Sequence, residues 1–118
     1  MTGVSHLANQ FEQYHAHVYF DAATVEQARR FCDEAQAALN LPHGRFHERC
    51  VGPHTRWSCL FVFSAECFDE VTQWMEEHRQ GLTVFVHGVS GDDLADHTDH
   101  IGFLGEPAEL DVRQFMAR

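Results

Sequence analysis

Histidine is the residue type whose number and spacing in this chain could support chemistry. Ten histidines occur among 118 residues; His15 and His17 alternate within one apolar run, and His87 ends another. The neutral imidazole is the commonest metal ligand in proteins, and two or three such rings with open coordination positions suit Zn²⁺ catalysis or oxygen chemistry on non-haem Fe²⁺. A metal centre is therefore the first function that the sequence suggests.

Charge and composition exclude several other functions. All eight basic residues are arginines, and 18 acidic residues bring the formal net charge to −10. This charge repels phosphate backbones and anionic lipids, so we expect neither nucleic acid nor a membrane as a partner. The lack of lysine excludes Schiff-base chemistry and a P-loop.

The sequence shows no secretory signal and no apolar run approaching ~18 residues, so we expect a cytoplasmic protein. In that compartment the four cysteines are interpreted as small buried hydrophobic residues.

The alternation of apolar patterns predicts the elements that must position the histidines. Period-two runs indicate strands and period-3.6 runs indicate helices. The predicted order is a strand at 14–20, a helix at 25–40, a hairpin of strands at 45–51 and 56–63, a helix at 66–80 and a strand at 82–87. A short apolar run at 101–104 would add an edge strand. This β-α-β-β-α-β order is that of the ferredoxin-like α+β fold, in which two helices cover one face of an antiparallel sheet.

The predicted topology brings three histidines together. The last core strand lies antiparallel to the first, so His87 comes close to His15 and His17 on the face away from the helices. That face also carries Tyr19 and Phe85. Because an uncovered aromatic patch normally pairs with another surface, we predict a homodimer.

Spacing alone leaves the function open. There is no H-E-x-x-H motif, and a non-catalytic domain that binds a metal or an aromatic acid on its open face is an alternative, as is a domain whose open face only dimerises. The acidic loop at 92–100 is either a solvated connection or a source of carboxylates that orient ligating imidazoles.

Several motifs together resemble the DOPA 4,5-dioxygenase family, the small ring-cleaving type of fungi and bacteria. The likeness spans residues 14 to about 105, within a predicted single domain at 14–118 that follows an N-terminal extension at 1–13. The motifs are Tyr-His-Ala-His-Val-Tyr-Phe-Asp at 14–21, Phe-His-Glu-Arg at 46–49, Val-Gly-Pro-His at 51–54, Trp74, Val-His at 86–87, Gly-Asp-Asp-Leu at 91–94 and Asp-His-Thr-Asp-His at 96–100. Thr55 and the Gly-Val-Ser segment at 88–90 depart from the family pattern beside these motifs, which affects the identity of the substrate.

The resemblance implies an extradiol dioxygenase that uses Fe²⁺ and O₂ to cut the ring of a catechol beside its two hydroxyls. It implies His17, His54 and His87 as iron ligands. It also implies His47 as the acid/base. His100 would either contact the iron ligands without binding the metal or control access to the site. In the simple topology, however, the turn carrying His54 lies at the far end of the sheet. His54 reaches the metal only if the hairpin folds back over the open face or comes from a second subunit, and His15 or His47 is otherwise the third ligand.

Overall fold

The computed structural model describes residue 7 and residues 9–116, and these form a four-stranded antiparallel sheet with helices on one face. The elements are β1 (Gln13–Phe20), α1 (Val25–Leu39), β2 (Trp57–Ser64), a 3₁₀ turn (Ala65–Cys67), α2 (Phe68–His78), β3 (Val84–Gly88), α3 (Asp93–Asp96), β4 (Ile101–Leu104) and a second 3₁₀ turn (Arg113–Phe115). The sheet order is β2-β1-β3-β4. The predicted ferredoxin-like α+β fold is confirmed, with β4 as the added edge strand.

The central strand β1 separates a helix-covered core from the face that carries the histidines. Its residues Tyr14, Ala16 and Val18 are fully buried and pack with apolar side chains of α1 and α2, such as Phe31 and Met75. Because side chains alternate across a strand, the residues between them point to the opposite face. The sheet therefore presents His15, His17 and Tyr19 together on the side away from the helices.

The prediction of a strand at 45–51 is wrong. Within it, the structure shows only one isolated bridge to β2, between His47 and Ser58, and a second bridge, between His43 and Phe61, lies before it. The central residues of the segment are largely exposed. Its side chains therefore gain no buried face that would hold a regular strand. Beyond His47 the chain leaves the sheet, and Gly52 permits the following turn by adopting a φ of 56°.

The open face of the sheet is covered by the chain itself. Two segments, 51–56 and 110–115, lie over it and are joined by a bridge between His54 and Leu110 and by a 2.8 Å hydrogen bond from the Asp111 nitrogen to the Pro53 oxygen. Tyr19 is consequently only 1% exposed and Phe85 is fully buried. The exposed aromatic patch on which the homodimer prediction depended is therefore absent from the described residues.

The segment before β1 is tied to the sheet by the Tyr14 side chain. Residues 1–6 and 8 of the predicted N-terminal extension lie outside the described residues, but the Tyr14 hydroxyl accepts hydrogen bonds from the backbone nitrogens of Gln10 and Phe11. Within the described part of the chain, every helix is too short or too polar to cross a membrane.

Gly88 allows the segment before β1 to pack beside β3. A β-carbon at this position would lie 2.3 Å from the Phe11 ring, so the ring must move when alanine is introduced. We expect Gly88→Ala to lower the free energy of unfolding by about 1–3 kcal/mol, as overpacking commonly does. Urea denaturation measures this change.

The control for this prediction is Gly44→Ala, whose β-carbon would meet its nearest atom, the Leu60 oxygen, at 3.4 Å. Combining Gly88→Ala with Phe11→Ala should remove most of the cost of the first substitution, because the second removes the obstructing ring. Additive costs in the double variant would contradict the explanation.

Candidate metal centre

Three histidines from two neighbouring strands form a compact cluster. The antiparallel register places His15 of β1 opposite His87 of β3, and His17 follows on the same face. One ring nitrogen from each residue lies within 4.8 Å of the others, and the Nε2 atoms of His17 and His87 are 3.1 Å apart. His17 and His87 are buried, whereas His15 is partly exposed. The arrangement offers three imidazole nitrogens to one ion, and we call it the imidazole cluster.

The surroundings keep the imidazole cluster neutral. Burial, followed by the neighbouring rings of His54 and His87, holds the pKa of His17 well below its usual value. Burial, reinforced by His97 and His15, lowers the pKa of His87 to about 4. Neutral imidazoles keep a free lone pair at neutral pH, which metal coordination requires. The donor set therefore fits a divalent transition metal.

His54 lies against the cluster although its turn was expected at the far end of the sheet. Its ring centroid is 4.1 Å from that of His17, and its Nδ1 is 2.7 Å from the Tyr19 hydroxyl. The segment 51–56 thus folds back over the open face within one chain. Among the described residues, however, the ring nitrogens close enough to share an ion are those of His15, His17 and His87.

His47 lies on the side of the cluster that His54 occupies. Its backbone exchanges hydrogen bonds with Ser58 of β2, 2.9 and 3.2 Å long, which hold it beside the sheet edge. Burial, the charge of His97 and then that of His47 lower the pKa of His54 to about 4. His47 is therefore electrostatically linked to the cluster through His54.

His97 is a neighbour of the cluster that the sequence analysis did not nominate. Its ring stacks on that of Phe115 and contacts that of His87 at a tilt, at centroid distances of 4.7 and 4.5 Å. Its Nδ1 donates to the Asp93 carbonyl at 2.7 Å, which leaves Nε2 as the acceptor in the neutral ring. The available signal was its place within the Asp-His-Thr-Asp-His motif, since α3 is too short to show a helical pattern.

Asp96 connects His100 to the cluster. The Asp96 side chain is buried and accepts hydrogen bonds from the Ser90 hydroxyl at 2.6 Å and from His100 Nδ1 at 2.9 Å. Burial alone would raise the pKa of Asp96, but these hydrogen bonds outweigh it and lower the pKa. The charge of Asp96 in turn favours the protonated forms of His15 and His87. His100 therefore stands behind a carboxylate that acts on two members of the cluster.

The fold and the cluster together define a ferredoxin-like protein with an imidazole-rich centre, and comparison with known proteins identifies its family. The chain belongs to the Dopa 4,5-dioxygenase family, whose sequence model matches residues 14–114. It is similar to a protein of Nostoc punctiforme provisionally assigned as a dioxygenase, with 31% identity, a TM-score of 0.77, and coverage of 90% of this chain and 95% of that one. A search of curated proteins finds no match.

Acid should destabilise the metal-free protein through the buried histidines. The pKa values of His54 and His87 lie near 4 in the folded protein, whereas unfolding restores a pKa of about 6.5. Below that pH the unfolded chain binds protons that the folded chain does not, so stability falls with pH until about 4. Each such histidine should cost about 1.4 kcal/mol between pH 8 and pH 5.5.

Urea denaturation in the presence of a chelator at these two pH values tests this prediction. The His54→Gln variant serves as the comparison, because it should lose one histidine's share of the pH dependence. A free energy of unfolding that is equal at pH 8 and pH 5.5 would contradict the prediction.

Proposed function

We propose that this protein is an extradiol dioxygenase that uses Fe²⁺ and O₂ to cleave the ring of a catechol, such as DOPA or another catecholic acid. The observation that carries the proposal is the set of three imidazole nitrogens within 4.8 Å in a member of a dioxygenase family. A bound ferrous ion would supply the electron transfer between catechol and O₂ that protein side chains cannot provide. Three protein ligands on one side of the ion leave room on the other for small molecules.

His17 and His87 would hold the iron, and two residues compete for the third position. His15 has its ring nitrogen within 4.8 Å of both, which favours it. His54 was the ligand implied by the family resemblance, and its ring lies against His17, but its Nδ1 is engaged by the Tyr19 hydroxyl at 2.7 Å. We assign the third position to His15, and His54 remains the alternative ligand.

Proton transfer requires a ring beside the cluster that does not itself bind the metal. His97 meets this requirement, because its Nε2 is available as an acceptor while Asp93 holds Nδ1. His47, the acid/base implied by the resemblance, lies on the side of His54 and could serve a substrate placed there. The Asp96 carboxylate would help to orient and polarise the cluster, as carboxylates do for ligating imidazoles, and His100 would hold Asp96 in place.

A cavity beside Tyr19 supports an acidic substrate. It has a volume of about 510 Å³, within the usual range of small-molecule sites, and its lining includes Tyr19, Arg56 and Trp57. The charge of Arg56 contributes to the lowered pKa of Asp21, which lines the same cavity, so its guanidinium lies where it could also attract a substrate carboxylate. Tyr19 borders this cavity and hydrogen-bonds to His54, which connects the cavity to the imidazole cluster.

A non-catalytic domain that binds a metal or an aromatic acid is the alternative function. Such a protein would bind iron and catechol without consuming O₂. Anaerobic loading with Fe²⁺, followed by air and a panel of catechols, separates the two functions, because only ring cleavage gives a yellow semialdehyde product.

The homodimer and the cytoplasmic location stay predictions alongside this proposal.

Replacement of the ligands should remove the iron. We expect His17→Ala and His87→Ala each to abolish stoichiometric Fe²⁺ binding, because the two remaining rings compete poorly with water for the ion. His15→Ala should do the same and His54→Ala should not, if His15 holds the third position. Metal analysis after anaerobic loading and desalting gives the stoichiometry.

The matched control is His78→Ala, which removes an exposed histidine at the end of α2. Full ring-cleavage activity in His17→Ala or His87→Ala would end the metal hypothesis. Loss of iron in His54→Ala, with iron retained in His15→Ala, would instead assign the third position to His54.

Replacement of the proton-transfer residue should slow turnover without releasing iron. We expect His97→Ala to keep full iron stoichiometry while turnover falls by roughly 10²–10⁴-fold, the usual cost of a lost general acid or base. His47→Ala is tested in parallel, and the variant with the larger loss identifies the acid/base. Loss of iron in His97→Ala would show that this ring binds the metal.

A further inference from the structure

A second chemical cluster lies between α1 and β2, on the helix-covered side of the sheet. Cys32 of α1 and Cys59 of β2 are both fully buried, and their thiols interact directly. The Cys59 sulfur lies 3.7 Å from Nδ1 of His43. Nε2 of the same ring lies 3.3 Å from an oxygen of Asp33, whose side chain is 75% exposed. The four residues form a relay from a surface carboxylate to a buried pair of thiols.

The partners of His43 require both of its ring nitrogens to carry hydrogen. Nδ1 lies 2.8 Å from the carbonyl oxygen of Gly44, and Nε2 faces the Asp33 carboxylate. Neither a carbonyl oxygen nor a carboxylate can donate a hydrogen bond, so the ring must donate to both. His43 is therefore best satisfied as a cation, and this cation is in contact with the Cys59 sulfur.

The backbone fixes this geometry. His43 forms a bridge with Phe61, and the Gly44 nitrogen donates to the Leu60 oxygen at 2.7 Å, so the loop is held along β2.

A neighbouring imidazolium favours the thiolate form of a cysteine, and the thiolate is the nucleophilic form. The hydrogen bond from Cys32 and the charge of His43 lower the pKa of Cys59 despite its burial. The Cys59 sulfur is hydrogen-bonded to the Gly44 oxygen at 3.5 Å while it remains a thiol.

We propose that Cys59 is a hydroperoxide-reactive thiol, with His43 and Asp33 as its activating pair and Cys32 as the resolving thiol. The site is separate from the imidazole cluster and does not depend on the proposed dioxygenase activity. Its ligand is hydrogen peroxide or a small organic hydroperoxide, because these oxidants are small enough to reach a buried sulfur when the loop at His43 opens locally.

The reaction proceeds in two balanced steps. The Cys59 thiolate attacks one peroxide oxygen, the O–O bond breaks, and the departing hydroxide takes a proton from His43 to form water; Cys59 becomes a sulfenic acid. The Cys32 sulfur then attacks the Cys59 sulfur, which forms a disulfide and releases the second water. In total, two thiols are oxidised by two electrons, and hydrogen peroxide is reduced to two molecules of water.

Peroxide treatment of the reduced full-length chain, with a chelator present, tests the proposal. Intact mass should decrease by two hydrogens, and peptide mapping should find Cys32 linked to Cys59. In Cys32→Ser the sulfenic acid should accumulate on Cys59, where dimedone traps it. Cys50, which is exposed, and Cys67, which is partly buried, serve as internal controls because neither has a histidine beside its sulfur among the described contacts.

The contribution of His43 is tested by substitution outside the core. His43→Gln should slow disulfide formation by at least about tenfold, because the charge that favours the thiolate is lost. His78→Gln is the matched control, since His78 also donates from Nδ1 to a backbone carbonyl, that of Trp74, at 2.7 Å. Oxidation of Cys50 or Cys67 ahead of Cys59, or an unchanged rate in a folded His43→Gln variant, would overturn the proposal.

Discussion

The antiparallel pairing of β1 with β3 is the constraint on which the imidazole cluster depends. The register sets His15 opposite His87, and the alternation of β1 returns His17 to the same face two residues later. The backbone ladder fixes the Cα positions and so keeps the three side chains close, where protonation would bring repulsion between them. Burial then makes the charged forms costly, and neutral nitrogens with free lone pairs are the result. The sheet thus produces a set of three imidazole donors that could hold a metal ion, and among the described residues this set contains no carboxylate.

Protonation of histidine in this protein is decided by the partners of each ring. His17 faces other imidazoles within an apolar sheet face, so its charged form is disfavoured. For His43, burial is opposed by the Gly44 carbonyl, Cys59 and Asp33, which together raise its pKa. Histidines on opposite faces of one sheet are therefore suited to different chemistry: neutral rings that could donate to a metal on one face, and a ring that favours its cationic form beside a thiol on the other.

The periodic parts of the chain could be predicted from sequence, and the segments that cover the sheet could not. Alternation assigned His17 and His87 to one face of their strands, and the element order made the two strands neighbours, as the structure shows. The position of His54 depends on a turn that carries no period, and it is fixed by contacts with Tyr19 and Leu110 that are distant in sequence. His97 was missed for a related reason, since it follows a one-turn helix that shows no period and its ring is placed by contact with Phe115.

The two segments that cover the open face, 51–56 and 110–115, should move together because hydrogen bonds connect them. The 2.8 Å bond between Asp111 and Pro53 and the 2.6 Å bond from the Thr55 hydroxyl to the Glu109 carbonyl cross between chain regions more than 50 residues apart. Because His17 and His87 are buried beneath this cover, a ring-sized molecule that reached them from this side would have to displace both segments. Molecules that fill the centre should therefore change the hydrogen-exchange protection of residues 109–115, even where they touch none of them.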